Sequence, residues 1–314
     1  KDLNWKLLVY PELYLGEEYY KGNIEIQNGT IYDFLNLVFK NLERKKINIY
    51  STVINSLVYG YKFLSEHNFV RTSRLNAEMH YNRGEDIYDW MLDSEHRQYS
   101  CAIFKDPMET LEQAQTNKLS HIVKKLNLKP GQKVLDIGCG WGGLSRYIAK
   151  EIGCEVYGIS LASNQIEYCK IKARESKLDN LLSYDLSDYR EVKGSWDRIV
   201  NVGFFEHVSP KFYKTFFKKI NSLLKDNSDS LCLTHTIATT NPPGPTNPFI
   251  NKYIFNGGKV PSASQITKAI EDSGLVISGW ESLIDHYNLT LDHWRVRFLK
   301  NVKKAKKIYG TNFI

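Results

Sequence analysis

The run Val134-Leu135-Asp136-Ile137-Gly138-Cys139-Gly140-Trp141-Gly142-Gly143 constrains this chain more than any other. A short apolar stretch passes straight into a glycine-dense turn, and helical spacing takes over within a few residues. Glycine opens left-handed backbone conformations and lets a ligand approach bare main chain. The pattern therefore describes a strand, a tight turn and a helix at the carboxyl edge of a parallel sheet. A dinucleotide site also needs a carboxylate roughly 20 residues on, at the tip of the second strand, to hold ribose hydroxyls. Here the second strand, 154–159, ends in Ser160-Leu161-Ala162-Ser163, and the nearest carboxylate, Glu167, lies more than a turn into the next helix. The turn points to a nucleoside-type ligand other than NAD, with a plain strand-to-helix turn as the alternative.

Strand and helix patterns alternate through the middle of the chain. Strands are expected at 133–138, 154–159, 181–184, 196–202 and 230–236, with helices at 110–126, 142–151, 162–177 and 210–224. Such alternation means a doubly wound, mostly parallel α/β sheet with helices on both faces. A helix at 263–272, a strand near 275–283 and a helix from about 288 follow. Between them, 240–262 carries Pro242, Pro243, Pro245, Pro248 and Pro261, and a long irregular stretch of this kind reads as a lid or binding loop. Residues 1–48 mix short apolar runs with turns. Val53, Ile54, Leu57, Val58, Tyr61 and Leu64 mark an amphipathic helix over 50–66. The organisation read from this is a smaller helical domain over 1–75 and an α/β domain over 76–314.

Composition narrows the partners. With 42 basic and 35 acidic residues the net charge is +7, too slight an excess to indicate nucleic acid and compatible with an anionic lipid surface. Twenty tyrosines suit sites that are apolar at one end and wet at the other. No apolar window of roughly 18 residues exists to span a membrane. No signal peptide is visible, although the chain opens on Lys1 rather than methionine. Five scattered cysteines, with no CxxC pair, read as reduced thiols in a cytoplasmic protein and offer no zinc or other metal site.

The glycine turn resembles the nucleoside loop of cyclopropane-fatty-acyl-phospholipid synthases and their mycolic acid relatives. Gln98-Tyr99-Ser100-Cys101, Ser160-Leu161-Ala162-Ser163-Asn164-Gln165, Phe205-Glu206-His207-Val208 and His235-Thr236-Ile237 are similar to further signatures of that family. So are Asn251-Lys252-Tyr253-Ile254-Phe255, and His286-Tyr287 followed by Thr290-Leu291 and Trp294-Arg295. The sequence departs from the pattern at Ser209, where glycine is usual, and at Glu85. The resemblance implies a Rossmann-like class I methyltransferase fold that uses S-adenosylmethionine. In the family a further helix and a final antiparallel strand follow the equivalent of Ile314, so the chain is expected to be a fragment without that strand.

The resemblance implies a reaction that adds one methylene to a cis double bond of a phospholipid acyl chain at the inner face of a membrane. The base is expected to be a bound bicarbonate, cradled by Cys101, Glu206, His235, Ile237 and Tyr287. Cys101 and Ile237 would offer backbone N–H groups, Tyr287 a hydroxyl, His235 a ring nitrogen and Glu206 an acceptor. Cys101 is not expected to act as a nucleophile. For the cofactor the resemblance implies Tyr99 and Ser100 at the methionine end and Asp136 with Gly138, Gly140 and Gly142 around the amino acid and ribose. Ser160, Leu161 and Gln165 would meet the ribose and adenine, with Tyr189 and Arg190 beside the adenine. Aromatic residues at 213–217 or 249–255 would line an acyl tunnel, the second set being favoured. A homodimer, a methyl-branching lipid methyltransferase, a small-molecule N- or O-methyltransferase and a non-catalytic lipid-binding protein stay open as alternatives.

Overall fold

The computed structural model describes residues 2–44, 84–255 and 257–310. The amphipathic stretch expected at 50–66 and the boundary expected near 75 lie outside the described residues. Five strands, β1 (Lys133–Ile137), β2 (Glu155–Ser160), β3 (Leu182–Leu186), β4 (Arg198–Val202) and β5 (Leu231–His235), form one parallel sheet in the order β3-β2-β1-β4-β5. The chain runs outward from β1 through β2 and β3, then returns to β4 on the other side of β1. That reversal opens a crevice above the carboxyl ends of β1 and β4, where α/β sheets bind their ligands.

Successive residues of a strand face opposite ways, and the core divides accordingly. Val134 and Val200 face a layer with Leu119, Ile122, Leu144, Ile148 and Ile166. Leu135, Ile137 and Ile199 face the opposite layer with Phe216, Phe217, Ile220 and Ile266. Three early helices, α1 (Asp2–Val9), α2 (Pro11–Tyr20) and α3 (Ile31–Arg44), are followed by α4 (Glu85–Met91) and α5 (Leu111–Lys125). The helices α6 (Gly143–Ile152), α7 (Ser163–Glu175), α8 (Tyr213–Leu223) and α9 (Ala263–Glu271) complete the two layers with α5. Capping boxes start α5 at Thr110 with Gln113 and α9 at Ser262 with Gln265, pairing otherwise orphaned N–H groups. The chain closes with α10 (Ile284–Lys300) and α11 (Val302–Tyr309). A third, aromatic cluster joins α4 and α10 above the sheet: Tyr88, Phe104, Trp141 and Trp294.

The strand expected near 275–283 does not form. An apolar alternation becomes a strand only where a ladder receives it, and no strand neighbour pairs with these residues. Val276 is 90% exposed, and the segment is instead tied to α5 through Glu281, which binds His121 at 2.8 Å and Lys125 at 3.3 Å. Among the described residues every strand pairing is parallel.

The stretch 240–262 is irregular apart from one π-turn at Ile250–Ile254. It docks on α2: Glu17, buried, accepts from Lys252 Nζ at 2.7 Å and from the Tyr253 hydroxyl at 2.9 Å. The Lys252 hydrogen bond, with help from Tyr253 and Lys21, holds the Glu17 carboxyl down at about 2.

Candidate active site

The turn between β1 and α6 is shaped by glycine. Gly138, Gly140 and Gly142 take φ of 76°, 55° and 71°, a region that side-chain-bearing residues enter only with strain. The N–H groups of Gly138 and Cys139 both donate to Ile159 O, at 2.9 and 3.0 Å, which binds the turn to the end of β2. A Cβ at Gly138 would lie 2.7 Å from the Phe204 ring, and one at Gly143 would lie 2.1 Å from His96 O. A Cβ at Gly140 would meet nothing within 4 Å, so that edge of the turn lies open to the crevice. Trp141 braces the turn from the far side, beneath the Arg97 guanidinium at 3.8 Å.

The polar groups of this crevice are bound to one another. Asp136, at the end of β1, accepts from Ser145 Oγ at 2.6 Å, and burial pushes its carboxyl up to about 6 against that bond. Ser160 Oγ donates to Gln165 Oε1 at 2.9 Å and accepts from Ala162 N at 3.2 Å, while Leu161 stands partly exposed at the rim. Tyr189 is buried in the core, its ring 5.7 Å from Phe204 and 5.1 Å from Phe216. Arg190 directs Nε and Nη2 onto the two oxygens of Asp188, both at 2.7 Å. Gly138, Gly140, Gly142, Asp136, Ser160, Leu161 and Gln165 thus meet at the adjoining ends of β1 and β2. Tyr189 and Arg190 face a ring cluster and a carboxylate.

A segment over 96–104 approaches the glycine turn, with His96 O set against the first turn of α6 at Gly143. Two helices fix it. From α5, Gln115 Nε2 donates to Ser100 O at 2.9 Å. From α10, Thr290 Oγ1 accepts from Ala102 N at 3.0 Å and His286 Nδ1 from Phe104 N at 3.2 Å. The Tyr99 ring lies against Tyr88 and Trp294. The Cys101 thiol reaches Ala102 O at 3.3 Å, and burial pushes it up to about 11, so it stays a thiol rather than a nucleophilic thiolate.

Beyond the carboxyl ends of β4 and β5 lies a second, different environment. Glu206 sits in a 3-10 turn after β4, with His235 at the last position of β5. Glu206 Oε1 accepts from Ile237 N at 2.7 Å; the N–H expected to face an anion is thus already bonded to Glu206. Burial pushes the Glu206 carboxyl up to about 7 despite that bond. Burial, helped by the charge of Lys118, holds His235 down near 4, leaving a neutral imidazole. Glu206 Oε2 and His235 Nδ1 are buried without a hydrogen-bond partner among the described residues. Burial raises the pKa of Tyr287, and the charges of Tyr99, Glu206 and Cys101 raise it further, so Tyr287 feels the charge of Glu206. The Glu206 oxygen and the His235 nitrogen each have capacity for one more hydrogen bond.

The two aromatic sets expected around a tunnel differ in their packing. Tyr213, Phe216 and Phe217 stack with Phe205 in the core. Phe249 and Tyr253 pair at 5.0 Å against α2, where a Cβ on Gly16 would strike the Phe249 ring.

Sequence reasoning passed over Lys118. Its Nζ is buried and donates to Gln98 Oε1 at 2.6 Å and Ser100 Oγ at 2.8 Å. The signal was available: Leu111, Gln115, Lys118 and Ile122 form one stripe of α5 at helical spacing, which places a lysine on the buried face.

The family model for mycolic acid cyclopropane synthetase matches residues 70–314. A cyclopropane-fatty-acyl-phospholipid synthase of Escherichia coli K12 is 40% identical over 234 residues, covering 74% of this chain and 59% of the relative. The chain thus spans about three fifths of that relative's length. The mycolic acid cyclopropane synthase CmaA1 complexed with SAH and CTAB superposes with a TM-score of 0.71 at 28% identity, over 76% of this chain and 88% of that one. A coclaurine N-methyltransferase bound to N-methylheliamine and SAH superposes with a TM-score of 0.72 over 95% of this chain and 87% of that one. At 22% identity it shows the class I methyltransferase fold alone.

Proposed function

The chain belongs to the mycolic acid cyclopropane synthetase family, and on that premise we propose that it adds a methylene from S-adenosylmethionine across a cis double bond of a lipid acyl chain. The observation that carries the reading is the pair of buried, unpartnered atoms, Glu206 Oε2 and His235 Nδ1, beside β1's glycine crevice. Orphaned polar atoms in a dry site cost stability, and a ligand that satisfies them accounts for their retention.

S-adenosylmethionine, when bound, supplies an electrophilic methyl on a cationic sulfur that departs as a neutral thioether. The alkene gains that methyl and becomes cationic at the neighbouring carbon. Loss of one proton from the new methyl then closes the ring, so the balance is one CH2 gained by the lipid and one proton released. The base for that proton is proposed to be bicarbonate, and the residues fit it: Glu206 Oε2 would accept its hydrogen while Tyr287 and a ring nitrogen of His235 donate to its oxygens. The neutral state of His235 suits this role, because a protonated imidazole would weaken the base. The cofactor would lie along Gly138–Gly142, with its methionine end under Tyr99 and Ser100. The buried Cys101 and Trp294, with Tyr287 partly buried beside Trp294, would keep water away from a cation it would trap as an alcohol.

The substrate class follows from the E. coli relative's name and from surface chemistry. Exposed Lys300, Lys303, Lys304, Lys306 and Lys307 end the chain's last helices, and an anionic bilayer would attract them. No helix among the described residues is long and apolar enough to cross a membrane. Incubation with labelled S-adenosylmethionine and vesicles of unsaturated phospholipid tests the proposal. A labelled cyclopropane in the acyl chain supports it; a saturated methyl branch, label in a soluble amine, or no transfer overturns it.

A further inference from the structure

We propose that Lys118 is a positioning residue that turns the Ser100 hydroxyl toward the carboxylate of the bound cofactor's amino-acid end. The inference rests on the cofactor reading above and deepens it.

Lys118 is 1% exposed, and its Nζ is bound by two neutral oxygens, Gln98 Oε1 at 2.6 Å and Ser100 Oγ at 2.8 Å. Among the described residues no carboxylate pairs with it directly; the Asp93 oxygens are taken by the N–H groups of His96, Arg97 and Gln98, at 2.6, 3.1 and 2.7 Å. A buried ammonium bound only to neutral acceptors is expensive, and the charge of the buried Asp93 offsets part of that cost, leaving room for a second anion to offset more. The consequence for Ser100 is geometric. Because Oγ accepts from an ammonium, its own O–H must donate elsewhere, and the ammonium polarises it into a stronger donor. Ser100 follows His96 by four residues, and the backbone oxygen of His96 is set against Gly143 in the first turn of α6. Helix N-termini favour negative charge, so an anionic group seated there would meet both the α6 amides and the Ser100 hydroxyl.

Charge on Lys118 also decides which way that hydroxyl points. Desolvation lowers the lysine to about 7. The ammonium form can only donate to Ser100; the neutral amine carries a lone pair that can take the Ser100 proton back. The titratable groups whose charges bear on this one are Asp93 and His96 on the turn after α4, Cys101 on the segment over 96–104 and His235 at the end of β5.

The test compares two ligands that share nucleoside and thioether. S-adenosylhomocysteine carries the amino-acid end and 5′-methylthioadenosine does not. By calorimetry, Lys118→Met should weaken S-adenosylhomocysteine by about tenfold or more and methylthioadenosine by less than about twofold. Equal loss for both would mean a merely structural lysine, and no loss for either would mean an irrelevant one; each overturns the proposal. Should the variant fail to fold, the wild-type chain decides. Its preference for S-adenosylhomocysteine should fall as pH rises from roughly 6 to 8.5, since the ammonium is lost with rising pH. A flat preference overturns the inference while leaving the cofactor reading standing. A wild-type chain that binds neither ligand overturns both.

Discussion

The two halves of the sheet's carboxyl edge are built on opposite principles. Around β1 and β2 most polar side chains pair with one another, Ser145 with Asp136, Ser160 with Gln165 and Arg190 with Asp188, and Trp141 Nε1 is the exception in the turn. Around β4 and β5, Glu206 Oε2 and His235 Nδ1 are left unpaired, and burial moves both groups far from their ordinary pKa values. The first half is a mould, whose shape is set largely by its own side chains. The second is incomplete, and its incompleteness is stored in charge and protonation. Substitutions in the mould should therefore register mainly in stability and affinity, and substitutions in the incomplete half mainly in turnover.

The largest contrast comes from Glu206→Gln. Turnover should fall by about 10²–10⁴-fold, because the amide oxygen is a weaker acceptor than a carboxylate and the NH2 presents hydrogens where the second oxygen accepted. Cofactor affinity should change by less than about threefold. At pH 8 the variant should be more stable than the parent, by on the order of 1–3 kcal/mol. The sign follows from the raised carboxyl: the folded state holds its proton up to about 7, above the ordinary value, so stability is lost as pH rises between the two. Above that window glutamine removes a buried charge. Denaturant melts at pH 8 beside a vesicle assay check both halves, and a destabilised variant with full turnover would reverse the comparison.

Glycine substitutions should show the mould's behaviour. Gly143→Ala presses a methyl onto the backbone oxygen of His96, where nothing flexible can yield, and should cost about 2–4 kcal/mol. Gly140→Ala points its methyl into open space, so only the left-handed φ of 55° opposes it, at about 1 kcal/mol. That methyl would stand in the crevice and should weaken nucleoside binding by about tenfold or more. If Gly140→Ala binds S-adenosylhomocysteine normally, the crevice is not where the ligand lies.

Legibility in the sequence follows the same division. The central strands were readable because buried parallel strands are nearly continuous apolar runs, as in Val134 to Ile137, and the helices around them keep strict apolar spacing. The early helices 2–9, 11–20 and 31–44 were not, since α2 is held by Glu17 reaching Lys252 across 235 positions and no local pattern records that. Leu275 to Leu283 misled in the other direction: its local pattern suits a strand, but a strand is a property of two segments. At the site, Glu206 and His235 could be picked out from the motifs around them. Their unpaired atoms could not, because burial of one atom of a side chain depends on neighbours far away in sequence. Lys118 was legible only through its place on the stripe of Leu111, Gln115 and Ile122, because its two partners, Gln98 and Ser100, lie 20 and 18 residues away.

A pH series gives the next, smaller effect. Between about 6 and 8 the rate at saturating cofactor should rise with pH through an apparent value near 7, as Glu206 ionises into the acceptor form. His235 contributes nothing to this limb, because it is already neutral. Its influence lies in stability on the acid side. With the imidazole held near 4 when folded but near its ordinary 6.5 when unfolded, stability should decline as pH falls through that interval. A rate profile flat across pH 7 would remove Glu206 from the proton economy of the site.

The smallest effect should come from Arg190→Ala. Its guanidinium is bound through Nε and Nη2 to Asp188 and is about a quarter exposed, so solvent screens much of the attraction. Removing it leaves Asp188 with a buried, less satisfied carboxylate, costing about 1 kcal/mol of stability. If Arg190 serves only as the partner of Asp188, S-adenosylhomocysteine affinity should change by less than about threefold, and calorimetry on the variant reads that directly. A loss of tenfold or more would mean that the arginine touches the ligand. The self-satisfied half of the edge would then include a group that changes partners on binding, and the contrast with Glu206 and His235 would be one of degree.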